Sequence, residues 1–174
     1  MSRECRRVPA NWEHPRDDKG QLTPLFGYNF TQRLAEWDEE AAKWDEGFCS
    51  DYHGGWEPKE EKMLGQSYVD WAGDRPKQAD YMPEWKEDER THYQMYETCS
   101  EGTPISPVMA APEELARWLV DNRASSFGAM TASYEAWLNL MQSEESSIGM
   151  ILEGGRMTDG VTAALRAAGG DNDS

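Results

Sequence analysis

The sequence predicts an α+β fold, helix-dominated, with one or two small β-hairpins on a single domain spanning residues 1–168 and a flexible tail at 169–174. Three observations carry that expectation. Phe30, Leu34, Trp37, Ala41, Trp44 and Phe48 recur at steps of 4, 3, 4, 3 and 4, an apolar stripe on one helical face. "VMAAPEELARWLVDN" places Pro112 at a first helical position with Glu113 and Glu114 near the positive end of the helix. "SIGMILEGGRMTDG" sets two strand-like runs on either side of Gly154-Gly155, a pair suited to a tight turn.

Taken in order, residues 1–28 form an extended or β segment, because Pro9, Pro15, Pro24, Gly20 and Gly27 permit a short strand at Glu4 to Val8 but no long helix. "DDKGQ" reads as a turn tip. The acidic helix follows at 29–48, with Asn29 as its cap and Gly47 close to its end. Residues 49–90 are acidic, rich in aromatics and broken by Gly and Pro, with short helical turns expected at 59–72 and 83–90. Trp56, Trp71, Tyr81 and Trp85 are the expected anchors of this segment on the core. The C-terminal αβ region, 91–168, opens with "THYQMYETC", read as a strand. Leu115, Trp118 and Leu119 line the next helix, and a third is capped by Thr131 with Tyr134, Trp137, Leu138 and Met141 on one side. A last short helix runs from Val161 to Ala168.

Charge limits the function. The 174-residue chain has a net charge of −16, with eight Trp, seven Tyr and nine Met. Residues 1–35 carry six basic and four acidic side chains, residues 36–101 seven and nineteen, and residues 102–174 four and ten. The middle segment alone is thus −12, a field that repels nucleic acid and draws in basic surfaces. Cys5, Cys49 and Cys99 are odd in number, and no leader pattern or 18-residue apolar run exists. The expectation is a reduced cytosolic protein with free thiols, neither exported nor membrane-spanning.

No Gly-x-x-x-x-Gly-Lys-Ser/Thr, Gly-x-Ser-x-Gly or His-Glu-x-x-His motif is present, and nothing local specifies a catalytic set or a cofactor. Cys49 with His53, and Cys5 with His14, supply four zinc-ligand types, but at spacings that do not specify a site. The loop "ETCSEGTPISPV" has two readings. Ser100, Glu101, Thr103 and Ser106 can line a polar ligand pocket, with Gly102 letting backbone come close. Equally, Pro104 and Pro107 fix φ, Gly102 takes a positive φ, and the hydroxyls cap neighbouring backbone.

"RRVPANWEHP", "PLFG" and "YQMYETCSEGTPISPV…PEELARWL" together resemble a group of small tailed-phage and prophage proteins. The shared features are a VP-x-x-W-x-HP start and an SEG-T/S-PISPV block followed by a helix. The resemblance covers both ends of the chain and skips the acidic middle. It implies a phage setting, a host bacterial cytoplasm and an accessory role, and it carries over no catalytic residues.

The leading expectation is therefore a binding protein. Asp38, Glu39, Glu40, Asp45, Glu46, Glu57, Glu60, Glu61, Glu84, Glu87, Asp88 and Glu89 lie near Trp37, Trp44, Trp56 and Trp85. Such carboxylates can stand in for phosphates and occupy the Lys/Arg groove of a host nucleic-acid-binding protein, with aromatics as desolvated anchors. A defence protein of the CRISPR-effector or restriction type is the natural target. The alternatives are a solvated face with no partner, a small enzyme or ligand-binding protein using the 100–106 loop, and a phage structural adaptor.

Overall fold

A computed structural model of the chain describes residues 3–51, 53–98, 102–142, 147–148, 150–153 and 156–159. Ser100, Glu101, Gly154-Gly155, the Val161 to Ala168 helix and the 169–174 tail lie outside the described residues. The chain divides into two compact units, one formed by Met1–Leu25 with Glu84–Ser174, the other by Phe26–Pro83.

The first unit is built on a sheet. Strand β1 (Arg3–Val8) pairs antiparallel with β4 (His92–Glu97) along its whole length, from Arg3↔Glu97 to Val8↔His92. Two short strands, β5 (Thr103–Pro104) and β8 (Ser147–Ile148), extend it to the order β5-β4-β1-β8. Side chains alternate across a strand, so its two faces differ. On one face Met95 packs with Leu115, Ala116 and Leu119 of α3 (Pro112–Asp121) and Ala136, Trp137 and Leu140 of α4 (Tyr134–Gln142). On the other face Gln94 and Tyr96 are buried beside Arg6, whose guanidinium lies 4.3 Å from the centre of the Tyr96 ring.

Arginine burial in β1 is met by hydrogen bonds, as a desolvated charge requires. Arg3 Nε donates to the Ser125 carbonyl at 2.7 Å, and Arg6 donates to Glu4 at 2.8 Å and to the Leu25 carbonyl at 3.1 Å. Two further pairs of strands belong to this unit, β6 (Ser125–Phe127) with β7 (Met130–Thr131) and β9 (Met150–Glu153) with β10 (Arg156–Asp159). The "DDKGQ" turn is present, with Asp17 Oδ1 accepting from Lys19 N and Gln21 N.

In the second unit, α1 (Phe30–Asp45) is followed by the antiparallel pair β2 (Phe48–Ser50) and β3 (Trp56–Pro58). A 3-10 turn at Glu61–Met63 leads to α2 (Tyr68–Ala72), which a Ser67/Asp70 capping box starts. A second 3-10 turn forms at Gln78–Asp80, and Phe26 bridges Tyr81. Trp44 is the buried residue of α1, and its indole N–H donates to the Gln66 carbonyl at 2.8 Å.

Five expectations are corrected. The fold is mixed α+β but not helix-dominated: besides four helices, the described residues hold one four-stranded sheet and three two-stranded ones, well beyond one or two hairpins. The reason is that strands such as β1 and β4 pair across about half of the chain, which local periodicity does not report. Asn29 makes no side-chain cap bond, and only its carbonyl engages the helix, through Arg33 N. Thr131 lies in β7, and Ser133 caps α4 instead through Ala136 N at 3.2 Å. Residues 83–90 form turns without a helix, and Trp56 and Trp71 stay 37% and 43% exposed rather than anchoring a core. Among the described residues no helix is long and apolar enough to cross a membrane.

Candidate functional site

Eight of the twelve carboxylates singled out above belong to the second unit, whereas Glu84, Glu87, Asp88 and Glu89 belong to the first. On α1 and the residue after it, Asp38 and Asp45 are seven apart, as are Glu39 and Glu46, so each pair shares a helical face. Several of these acids are already held. Arg75 forks onto Asp38 at 2.7 and 2.6 Å, and those hydrogen bonds keep the Asp38 carboxyl below the usual carboxylate range. Glu40 accepts from the Tyr68 hydroxyl, whose pKa is pushed up first by burial and then by that carboxylate. Glu46 pairs with Lys43 and Glu60 with Lys62, each at 2.7 Å. Glu39, Asp45, Glu57 and Glu61 are exposed and have no ion pair among the described residues.

In the first unit, Glu87 lies 3.6 Å from both Arg7 and Arg90, and Glu89 accepts from Lys86 N at 2.8 Å. The acids there cap turns and balance arginines as much as they face solvent.

The second unit also contains a cavity of about 430 Å³ that sequence reasoning did not anticipate. Trp44, Trp56, Tyr68 and Trp71 form its aromatic walls, and Glu40, Glu57 and Glu60 lie among them with Lys62. Trp44 stacks on Trp71 with ring centres 5.5 Å apart, and the Lys59 ammonium rests 4.6 Å from the Trp44 ring centre. The available signal was the density of Trp and Glu in 36–71, but nothing in spacing says which of them converge.

The 100–106 loop is described from Gly102 onward. Gly102 adopts φ +59° with its carbonyl accepting from Leu25 N at 3.0 Å, and both Thr103 and Ser106 are buried. Ser106 Oγ accepts from Met95 N at 2.9 Å and donates to the Pro107 carbonyl at 3.0 Å. Beside it opens a cavity of about 780 Å³ lined by Glu13, His14, Gln94, Pro104, Ser106 and Trp118. Of its polar side chains, Gln94, Ser106 and His14 are committed to the framework. Gln94 donates to the Ser106 carbonyl at 2.9 Å and accepts from Tyr96 Oη at 3.0 Å. Tyr96 Oη in turn accepts from Trp12 Nε1 at 3.1 Å, and burial raises its pKa to about 12. This network joining the Trp12–His14 motif to the 102–107 loop was also missed. The legible hint was that Gln94 and Tyr96, two apart on a strand, share a face.

Of the zinc candidates, Cys5 and His14 belong to the first unit and Cys49 and His53 to the second. Burial, assisted by Glu4, pushes the Cys5 thiol up to about 12, and burial followed by Glu57 and Glu60 raises Cys49. Metals bind thiolate, so both environments oppose ligation. Among the described residues no group of three or more His, Cys, Asp or Glu side chains is placed to hold a metal ion. Comparison with protein-family models, curated proteins and solved structures gives no match to this chain.

Proposed function

We propose that this chain is a phage-encoded accessory protein that works in the host bacterial cytoplasm by docking its acidic second unit on a basic, nucleic-acid-binding surface of a host defence protein. The observation that carries the reading is the order imposed on the acids. The ordered backbone of α1 presents Glu39 and Asp45 outward without an ion pair among the described residues, Glu57 and Glu61 are exposed likewise, and Trp56 and Trp71 of the same unit are exposed. Fixed charges complement a basic groove without the entropy cost that flexible ones incur, and exposed indoles supply desolvated anchors. Occlusion is the mechanism: carboxylates pair with Lys/Arg, and nucleic acid is excluded.

The test is capture of host proteins at low ionic strength, followed by competition between this chain and nucleic acid for the captured partner. The expected complex weakens steeply as salt rises past ~0.1 M, where screening acts over about 10 Å, and displaces nucleic acid. A partner that holds on regardless of salt, or that keeps its nucleic acid, rules the reading out.

A second reading, a ligand-binding protein built on the 100–106 loop, draws support from the cavity of about 780 Å³ beside Ser106. It is weaker because Ser106, Gln94 and His14 spend their hydrogen bonds on the framework. A small molecule that raises Tm and protects this cavity would favour it.

A further inference from the structure

Resting on the binding role proposed above, we infer that the aromatic cavity of the second unit is a socket for a single arginine side chain of the partner. Its volume of about 430 Å³ falls in the range of ~300–1,000 Å³ typical of small-ligand sites. Aromatic faces attract cations through their negative quadrupole, and Trp does so best. One of the cavity's indoles already takes part in such a contact, since Lys59 places its ammonium 4.6 Å from the Trp44 ring centre.

Charge points the same way. Among the lining residues, Glu40 accepts from Tyr68 and Glu60 is paired with Lys62, which leaves Glu57 without an ion pair among the described residues. Glu57 stands opposite Cys49 in the β2–β3 pair, and both line the cavity. A planar guanidinium can stack on an indole and fork onto a carboxylate at once, which a compact ammonium cannot. Exposed Trp56 and Trp71 make the socket reachable from solvent.

The test titrates the full chain with N-acetyl-arginine N-methylamide at constant ionic strength and follows tryptophan fluorescence. The citrulline analogue (the same shape without charge) and the lysine analogue serve as comparisons. Saturable binding of the arginine compound, at least about tenfold tighter than citrulline, is expected. Glu57→Gln weakens it at least about fivefold and makes Cys49 alkylate faster at fixed pH, because a charge that raises the thiol pKa is gone. Trp71→Ala, at an exposed position, weakens it as well. An unsaturated response, equal binding of citrulline or lysine, or unchanged affinity in Glu57→Gln overturns the socket. Failure here with salt-sensitive partner binding intact removes the socket alone. Arginine binding with no nucleic-acid-competing partner removes the docking role alone.

Discussion

His14 Nδ1 lies 3.2 Å from Tyr96 Oη, joining two residues that are 82 apart in sequence. The other ring nitrogen, Nε2, is 2.7 Å from the Thr23 carbonyl, and a carbonyl only accepts, so Nε2 carries a proton. Tyr96 has one hydroxyl proton and two neighbours that can accept it, Gln94 Oε1 and neutral His14 Nδ1. Protonation of His14 would let Nδ1 donate and satisfy the whole network. Burial opposes that charge, with Arg6 and Arg16 adding to the opposition, and the His14 pKa is lowered despite the Thr23 bond.

A pH dependence follows. A histidine whose folded pKa is below its unfolded value stabilises the fold above the unfolded pKa, and that contribution is lost as pH falls through the folded one. Urea midpoints should therefore hold steady above pH ~7 and decline as pH drops below about 6.5. His14→Asn should flatten that part of the profile. An identical slope in wild type and variant assigns the effect elsewhere.

Gly102 supplies a backbone test. Its φ is +59°, and a Cβ added there would meet the Leu25 carbonyl oxygen at 2.5 Å. Both the conformation and the backbone contact are intolerant of a side chain. Gly102→Ala should cost about 2 kcal/mol or more, read as a lower urea midpoint with unchanged m. A neutral substitution would mean that the Leu25–Gly102 junction is loose in solution.

The positive φ at Gly102 was legible because Pro104 and Pro107 close by mark a turn, and β4 was legible from its alternation. Helix α3 was legible from Pro112 and its glutamates. The pairing of β1 with β4 was not, because three arginines in Arg3–Val8 read as surface while Arg3 and Arg6 are 3% exposed. Partners remote in sequence, Ser125 and Leu25, satisfy them. On α1 the stripe located the helix but overstated its burial: Phe48 leaves the helix for β2 and Trp44 alone is fully covered. The acids were easy to count, yet a count does not tell Asp38, held by Arg75, from outward-facing Glu39.

Trp44 and Trp37 offer a paired stability test. Trp44 is 2% exposed, and its N–H bonds the Gln66 carbonyl at 2.8 Å. Trp37 is partly exposed, and its N–H lies 3.4 Å from the Gly73 carbonyl. Phenylalanine at 44 loses indole packing and strands a carbonyl, for a cost of about 1–3 kcal/mol. At 37 the change should be under about 0.5 kcal/mol. Thermal unfolding of the two variants checks the order, and equal losses would count against Trp44 as the keystone of the second unit.

The distinction between held and outward acids yields a binding prediction. Asp38 and Arg75 form a matched fork, so removing both as Asp38→Asn with Arg75→Gln leaves the net charge and the outward field nearly unchanged. Glu39 and Asp45 have no such partner among the described residues, so Glu39→Lys with Asp45→Lys inverts charge directly at the outward face. Against the captured basic partner, the first double variant should change affinity by less than about twofold. The second should weaken it at least about tenfold, chiefly through slower association at low salt, because complementary charge acts mainly on encounter. The two variants should converge as added salt screens the field. Surface plasmon resonance across ionic strength separates the on-rate from the off-rate. Unchanged affinity in both double variants would place the contact surface on another face of the second unit or on the first unit's acids at 84–89.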